Sequence, residues 1–207
     1  MSETRLDLAA ELQINFSNSI YYDNQSVLDS IQDGLDEVCA FTGCIYKTAA
    51  LPFTQNTTYY DLLTLLPDYI GVVAMWNNTI HRWMFPTSLR KLNQQRVDWD
   101  SCYGTPYYFC PINHRYVAIW QKPSVANYGQ MFVFYRAAAP TLSDATPIPI
   151  PDEHIASLEY YCITDLWEQA QEWGKSSNSF KDYQSLLEQF RTLMRNKRNS
   201  DRLPGLK

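Results

Sequence analysis

Two rhythms of apolar residues divide this chain. After Asp23, the residues Val27, Leu28, Ile31, Leu35, Val38, Cys39 and Phe41 recur at intervals of three and four, and Asp29, Asp33, Asp36 and Glu37 lie mostly on the other side. That spacing predicts an amphipathic helix with one stripe facing a core. Asp23 or Ser26 supplies its N-cap, and Thr42-Gly43 its C-terminal stop. A shorter helical pattern, Leu6, Leu8 and Leu12, precedes it. Toward the other end, Ile155, Leu158, Tyr161, Cys162, Asp165, Leu166 and Trp173 predict a helix over 152–172, capped by Asp152 and ended by Trp173-Gly174. Lys175-Ser-Ser-Asn-Ser then reads as a short loop. Phe180, Tyr183, Leu186, Leu187, Phe190, Leu193 and Met194 predict a last helix over 180–196. So short a loop makes these two helices antiparallel.

Over residues 44–140 the helical spacing gives way to short aromatic and β-branched runs broken by turns. Segments 45–51, 58–63, 70–76, 79–85, 107–110, 116–121 and 130–136 read as strands. Asn77-Asn78 predicts a hairpin turn, because Asn tolerates positive φ, and Pro111-Ile-Asn-His a second. Residues 88–95 predict a short helix between strands. From Pro140 to Pro151 there are four prolines in twelve residues, which excludes helix and central strand and leaves an extended connector.

The expected architecture is α+β. Residues 1–43 and 152–196 form a helical bundle from both chain ends, with a β-rich, sandwich-like domain inserted over 44–140. A Pro-rich connector covers 141–151, and residues 197–207 trail off as an extended C-terminal tail.

Composition adds constraints. An apolar content of 45% and an aromatic content of 14% exclude a disordered chain. Fifteen Tyr and six Trp suit either aromatic cross-strand pairs or half-wet interface surfaces. The polar, acidic N-terminus has no secretory pattern, so a cytosol-like compartment is expected. No run approaches the roughly 18 apolar residues of a membrane helix. The five cysteines, Cys39, Cys44, Cys102, Cys110 and Cys162, include no Cys-x-x-Cys and read as small core residues.

The search for chemistry returns little. His81 falls in a predicted strand, His114 in a turn and His154 in a first helical turn, and none belongs to a metal-ligand pattern. There is no Gly-x-Ser-x-Gly elbow and no phosphate-binding Gly loop among only seven glycines. Asp98-Trp-Asp100 is one carboxylate pair, read as a polar turn rather than a cation site. No catalytic residue, metal or cofactor is expected, and the chain reads as a non-enzyme.

Charge is the one strong asymmetry. Residues 175–207 hold eight Lys/Arg against three acids, a net +5; the whole chain is −5, so residues 1–174 carry −10. The basic residues lack the aromatic interleaving of single-strand binders, so specific nucleic-acid affinity is not expected. A basic end on an acidic body suits docking onto another subunit, or a solvated helix end.

One ordered set of landmarks resembles a family. It comprises Leu66-Pro-Asp-Tyr69, Ser88-Leu89 with Leu92, Trp99, Gly104-Thr-Pro-Tyr-Tyr108 and the strand exit over 119–123. Phe132-Val-Phe-Tyr-Arg-Ala137, Pro140-x-Leu142, Pro147-Ile-Pro149, His154 and Leu158-Glu-Tyr-Tyr161 follow. Across roughly residues 20–195 this succession resembles the head-to-tail adaptor (connector or ring) proteins of short-tailed, podovirus-like bacteriophages.

The resemblance implies a structural virion protein. It implies a homododecameric ring below the portal, at the head-tail interface, that continues the DNA channel without specific DNA binding. The implied partners are the portal protein, tail nozzle, tube or fibre proteins, and other copies of the chain, with no membrane; before assembly it would reside in host cytoplasm. Arg191, Arg195, Lys197, Arg198, Arg202, Leu203, Leu206 and Lys207 are the expected portal-contact residues, with the two leucines as apolar anchors and the cations steering. Two alternatives remain open: an aromatic-rich carbohydrate-binding domain or glycan hydrolase component, and another ring or tail-tube protein of the same virion.

Overall fold

The computed structural model describes residues 4–16, 23–143 and 147–200. Helix α1 spans Arg5–Phe16 and α2 spans Asn24–Thr42. Strands β1 (Tyr46–Pro52) and β2 (Tyr59–Asp61) follow, then one turn of helix, α3 (Leu62–Leu65). Next come β3 (Tyr69–Asn77), β4 (Arg82–Trp83), β5 (Phe85–Pro86) and α4 (Leu89–Gln95). Strands β6 (Tyr108–Ile112), β7 (Tyr116–Trp120) and β8 (Gln130–Ala137) complete the middle. The C-terminal part is α5 (Ile155–Gln169) and the 28-residue α6 (Trp173–Ser200). The α+β expectation holds, with helices toward both termini and strands between.

The chain forms two compact units. One comprises Met1–Ile45 and Ala139–Lys207, the other Tyr46–Ala138.

The helical unit has one core. Leu8 and Leu12 of α1, Ile31, Leu35 and Val38 of α2, Leu158, Cys162 and Leu166 of α5, and Tyr183, Leu187 and Phe190 of α6 are buried in one cluster. Helix α1 begins with a reciprocal capping box: the Asp7 amide donates to Thr4 Oγ1, and the Thr4 amide to Asp7 Oδ2. Asp23 caps α2 by accepting from the Ser26 amide at 2.7 Å, and left-handed Gly43 (φ 60°) ends it, as expected.

Three expectations fail here. Asp152 does not cap a helix: it starts a short 3-10 turn with His154, and α5 begins after it without a side-chain cap. Lys175-Ser-Ser-Asn-Ser is helix, not loop. The turn lies earlier, over 170–172, where Gln171 takes φ 60°, and Trp173 opens α6 rather than closing α5. The reason is tertiary: Ser176 is 3% exposed and donates to Glu168 Oε1 at 3.0 Å, tying the first turn of α6 to the end of α5. The Ser-rich pattern is compatible with a helix start, where small polar residues satisfy local backbone groups. Finally, α6 runs to Ser200, so the tail does not begin at Lys197.

The described residues of the proline-rich segment are anchored rather than slack. Leu142, Ile148 and Ile150 are buried in the helical core. Gln32 accepts from the Leu142 amide at 2.9 Å and donates to the Pro140 carbonyl at 3.3 Å, and Arg5 donates to the Leu142 carbonyl.

The β unit holds two four-stranded sheets, ordered β1-β8-β3-β4 and β2-β7-β6-β5. Strand β8 lies between β1 and β3, antiparallel to both, and alternates buried and half-buried along its length. The alternation puts Met131, Val133 and Tyr135 on the inner face. Residues 79–85 are not one strand. Asn77 ends β3, fully buried, with its Nδ2 donating to the Pro106 carbonyl and its Oδ1 accepting from the Thr79 amide. Positive φ falls on His81, expected in a strand, at the close of a turn over 78–81. Asn113 (φ 56°) occupies the second predicted turn.

Candidate functional site

The expected contact residues lie on α6 and beyond it. Its buried stripe, Ser176, Tyr183, Leu187, Phe190 and Met194, keeps helical spacing and faces the core. Tyr183 is edge-on to Tyr161 with ring centroids 5.5 Å apart, and its hydroxyl donates to Glu37 Oε1 at 2.9 Å. Burial first, then the bond to the carboxylate, pushes that phenol far above its usual range. Phe190 stacks on the His154 ring at 4.1 Å. These contacts fix the helix in rotation as well as position.

Met194 is buried, and the helix continues to Ser200. Arg195 and Asn196 are exposed, and Leu193 presents an apolar side chain 43% exposed. Glu188, Gln189, Thr192, Leu193 and Asn196 line a shallow, open depression on one helix face.

The predicted residues separate into three groups. Arg191 is engaged inside the helical unit: its guanidinium lies 4.5 Å from the Phe41 ring centroid and donates to Glu188 Oε1 at 3.1 Å. That makes it a brace between α6 and the end of α2. Arg195 is exposed on α6, and Lys197 and Arg198 lie on its last turns. Arg202, Leu203, Leu206 and Lys207 lie outside the described residues. Phe41 was absent from the predicted set; its place as the last apolar residue of the α2 stripe was the available signal.

Elsewhere the aromatics mostly meet one another. Trp76 pairs edge-on with Trp83 at 5.2 Å, Trp83 with Phe134 at 5.2 Å, and Trp120 with Tyr108 at 5.3 Å. The first and last are cross-strand pairs, and Trp83 meets Phe134 across the intervening β3, contacts that stabilise the sheets. Asp98 is held by Arg96 at 2.7 Å, in the polar turn expected there. No group of three or more potential metal-ligating side chains occurs among the described residues. No helix among them is long and apolar enough to cross a membrane.

An α+β chain with helices toward both ends, a β-rich middle and a long C-terminal helix with exposed Arg195 has the makings of an assembly component. The family described as the SU10 adaptor protein matches residues 4–205, and the chain belongs to it. It is thus a bacteriophage adaptor, a structural protein of the virion. No curated protein matches the chain.

Proposed function

We propose that this adaptor forms a homododecameric ring beneath the portal of a short-tailed phage, continuing the DNA channel and offering a platform to tail nozzle, tube or fibre proteins. The subunit waits in host cytoplasm and joins the virion through its C-terminal segment. The observation that carries this reading is the end of α6: the helix goes on to Ser200, Arg195 and Asn196 are exposed on it, and cations are concentrated from Arg195 onward.

In this reading Arg195, Lys197, Arg198, Arg202 and Lys207 orient the segment on an acidic portal surface. Leu203 and Leu206 anchor it around Pro204-Gly205. Arg191 serves from behind as the brace that aims the helix. One segment buries little surface, but copies on a symmetric ring bind together and gain by avidity. The −10 carried by residues 1–174 disfavours adhesion of DNA phosphates to the body, so DNA slides past.

Truncation after Asn196 tests the reading. The shortened protein should keep its helical melting transition and lose attachment to portal-bearing heads. Undiminished attachment sinks the proposal.

A further inference from the structure

The end of α2 places two thiols together. Gly43 takes the left-handed conformation and its amide donates to the Cys39 carbonyl at 2.8 Å. In this way of ending a helix, the residue after the glycine folds back over the residue one turn before it. Those two residues are Cys44 and Cys39. Their Sγ atoms are 3.6 Å apart, both thiols are free, and Cys39 is fully buried while Cys44 is half-buried. The usual occupants of this contact are two aliphatic side chains; two cysteines there add a chemistry that packing does not need.

We propose that Cys39 and Cys44 form a dithiol modification site that takes small disulfide oxidants and closes into an intramolecular disulfide. Cys44 is the entry residue, because it is half-buried whereas Cys39 is fully buried. Its thiol is drawn down, chiefly by the hydrogen bond shared with Cys39, whereas Cys39 is pushed up by the same bond and by burial. A lowered thiol pKa on the less buried residue favours attack from Cys44.

The Cys44 thiolate attacks one sulfur of the oxidant RS–SR; that S–S bond breaks and RS⁻ leaves with the electron pair. Cys39 then loses its proton to solvent and attacks Cys44 Sγ, expelling the second RS⁻. The protein thiols lose two electrons in total, and the oxidant becomes two thiols. Closure brings the sulfurs from 3.6 Å to a bond of about 2 Å, within reach of a side-chain rotation.

Phe41 lies between the two cysteines, so chymotryptic cleavage after it separates them unless they are bonded. The full chain is incubated folded with oxidised glutathione, quenched in acid and measured intact, then digested without reduction. We expect a mass lower by two hydrogens and joined fragments carrying Cys39 and Cys44, with Cys102, Cys110 and Cys162 still alkylatable after denaturation. Cys39→Ala should retain one glutathione on Cys44. A stable glutathione adduct on the wild-type protein, an unreacted protein, or a bond to any other cysteine overturns the proposal. These three results are read on the wild-type chain, so a variant that fails to fold leaves the test intact.

Discussion

The two units reach a stable core by different routes. The β unit is one continuous stretch, Tyr46–Ala138, and its sheets are held by ladder hydrogen bonds and cross-strand rings. The helical unit is made of segments from both sides of that stretch, and helices offer no ladders to join them. A shared apolar core and single polar side chains do the joining. Arg5 donates to the carbonyls of Leu28 and Leu142, Gln32 holds Pro140 and Leu142, and Tyr183 reaches Glu37. A helical unit assembled this way depends on packing in that one core, whereas damage to one rung of a sheet is shared among its neighbours.

The largest test of that contrast is Phe190→Ala. Phe190 is fully buried against His154 at the centre of the helical core. Truncating a buried Phe destabilises by about 3–5 kcal/mol, through lost burial and the cavity left behind. Hydrogen exchange resolved by segment should show α2, α5 and α6 losing protection by that amount, with β3 and β8 nearly unchanged. Equal losses in β8 would mean that the two units unfold as one, and the contrast would fail.

Gly34→Ala has a smaller effect and tests how closely α2 and α5 approach. An added Cβ would lie 2.5 Å from Tyr161 Cδ1 and 2.7 Å from Leu158 Cδ1. Alanine gains up to about 1 kcal/mol in helix propensity, but overpacking a core costs about 1–3 kcal/mol. Leu158 is fully buried, so its methyl cannot swing out into solvent. The variant should therefore be less stable by about 1 kcal/mol in the denaturant midpoint. A more stable variant would show that the Tyr161 ring swings aside easily and that α2 does not need glycine there.

The same contrast governs what was legible in sequence. Periodicity found the α2 stripe and its caps because Asp23 and Gly43 act within a few residues of themselves. It found β3, β7 and β8 because runs of β-branched and aromatic residues are a local signal, and in β8 burial alternates along the strand as well. It misplaced the α5–α6 turn, because the choice was made by Ser176 meeting Glu168 across two helices. It read residues 140–151 as linker, because proline content says how a segment is shaped and not what it lies against. The buried Leu142, Ile148 and Ile150 are apolar residues between prolines, a signal outweighed by the prolines themselves. At the candidate site, the cations were visible in the charge count. The pairing of Arg191 with Phe41 was not, since it joins α6 to the far end of α2.

The smallest effect belongs to the β unit and separates the two kinds of tie by pH. Asp61 caps α3 through the Thr64 amide and hydroxyl, and accepts two bonds from the Arg115 guanidinium, the shorter 2.6 Å. The Arg115 bonds are the main cause that holds its carboxyl at about 2. An unfolded Asp titrates near 4. The folded value is the lower one, so the contribution is complete above about 4 and disappears as pH falls toward about 2. Both side chains are partly exposed, so added salt should weaken the effect. Asp61→Asn should be less stable than the wild type at neutral pH, with the two denaturation midpoints converging between pH 4 and pH 2. The helical unit should show no such convergence from its Arg5 and Gln32 ties, whose partners are backbone groups that do not titrate. A gap that stays constant as the pH falls would show that the charge of Asp61 adds nothing beyond its shape and its cap.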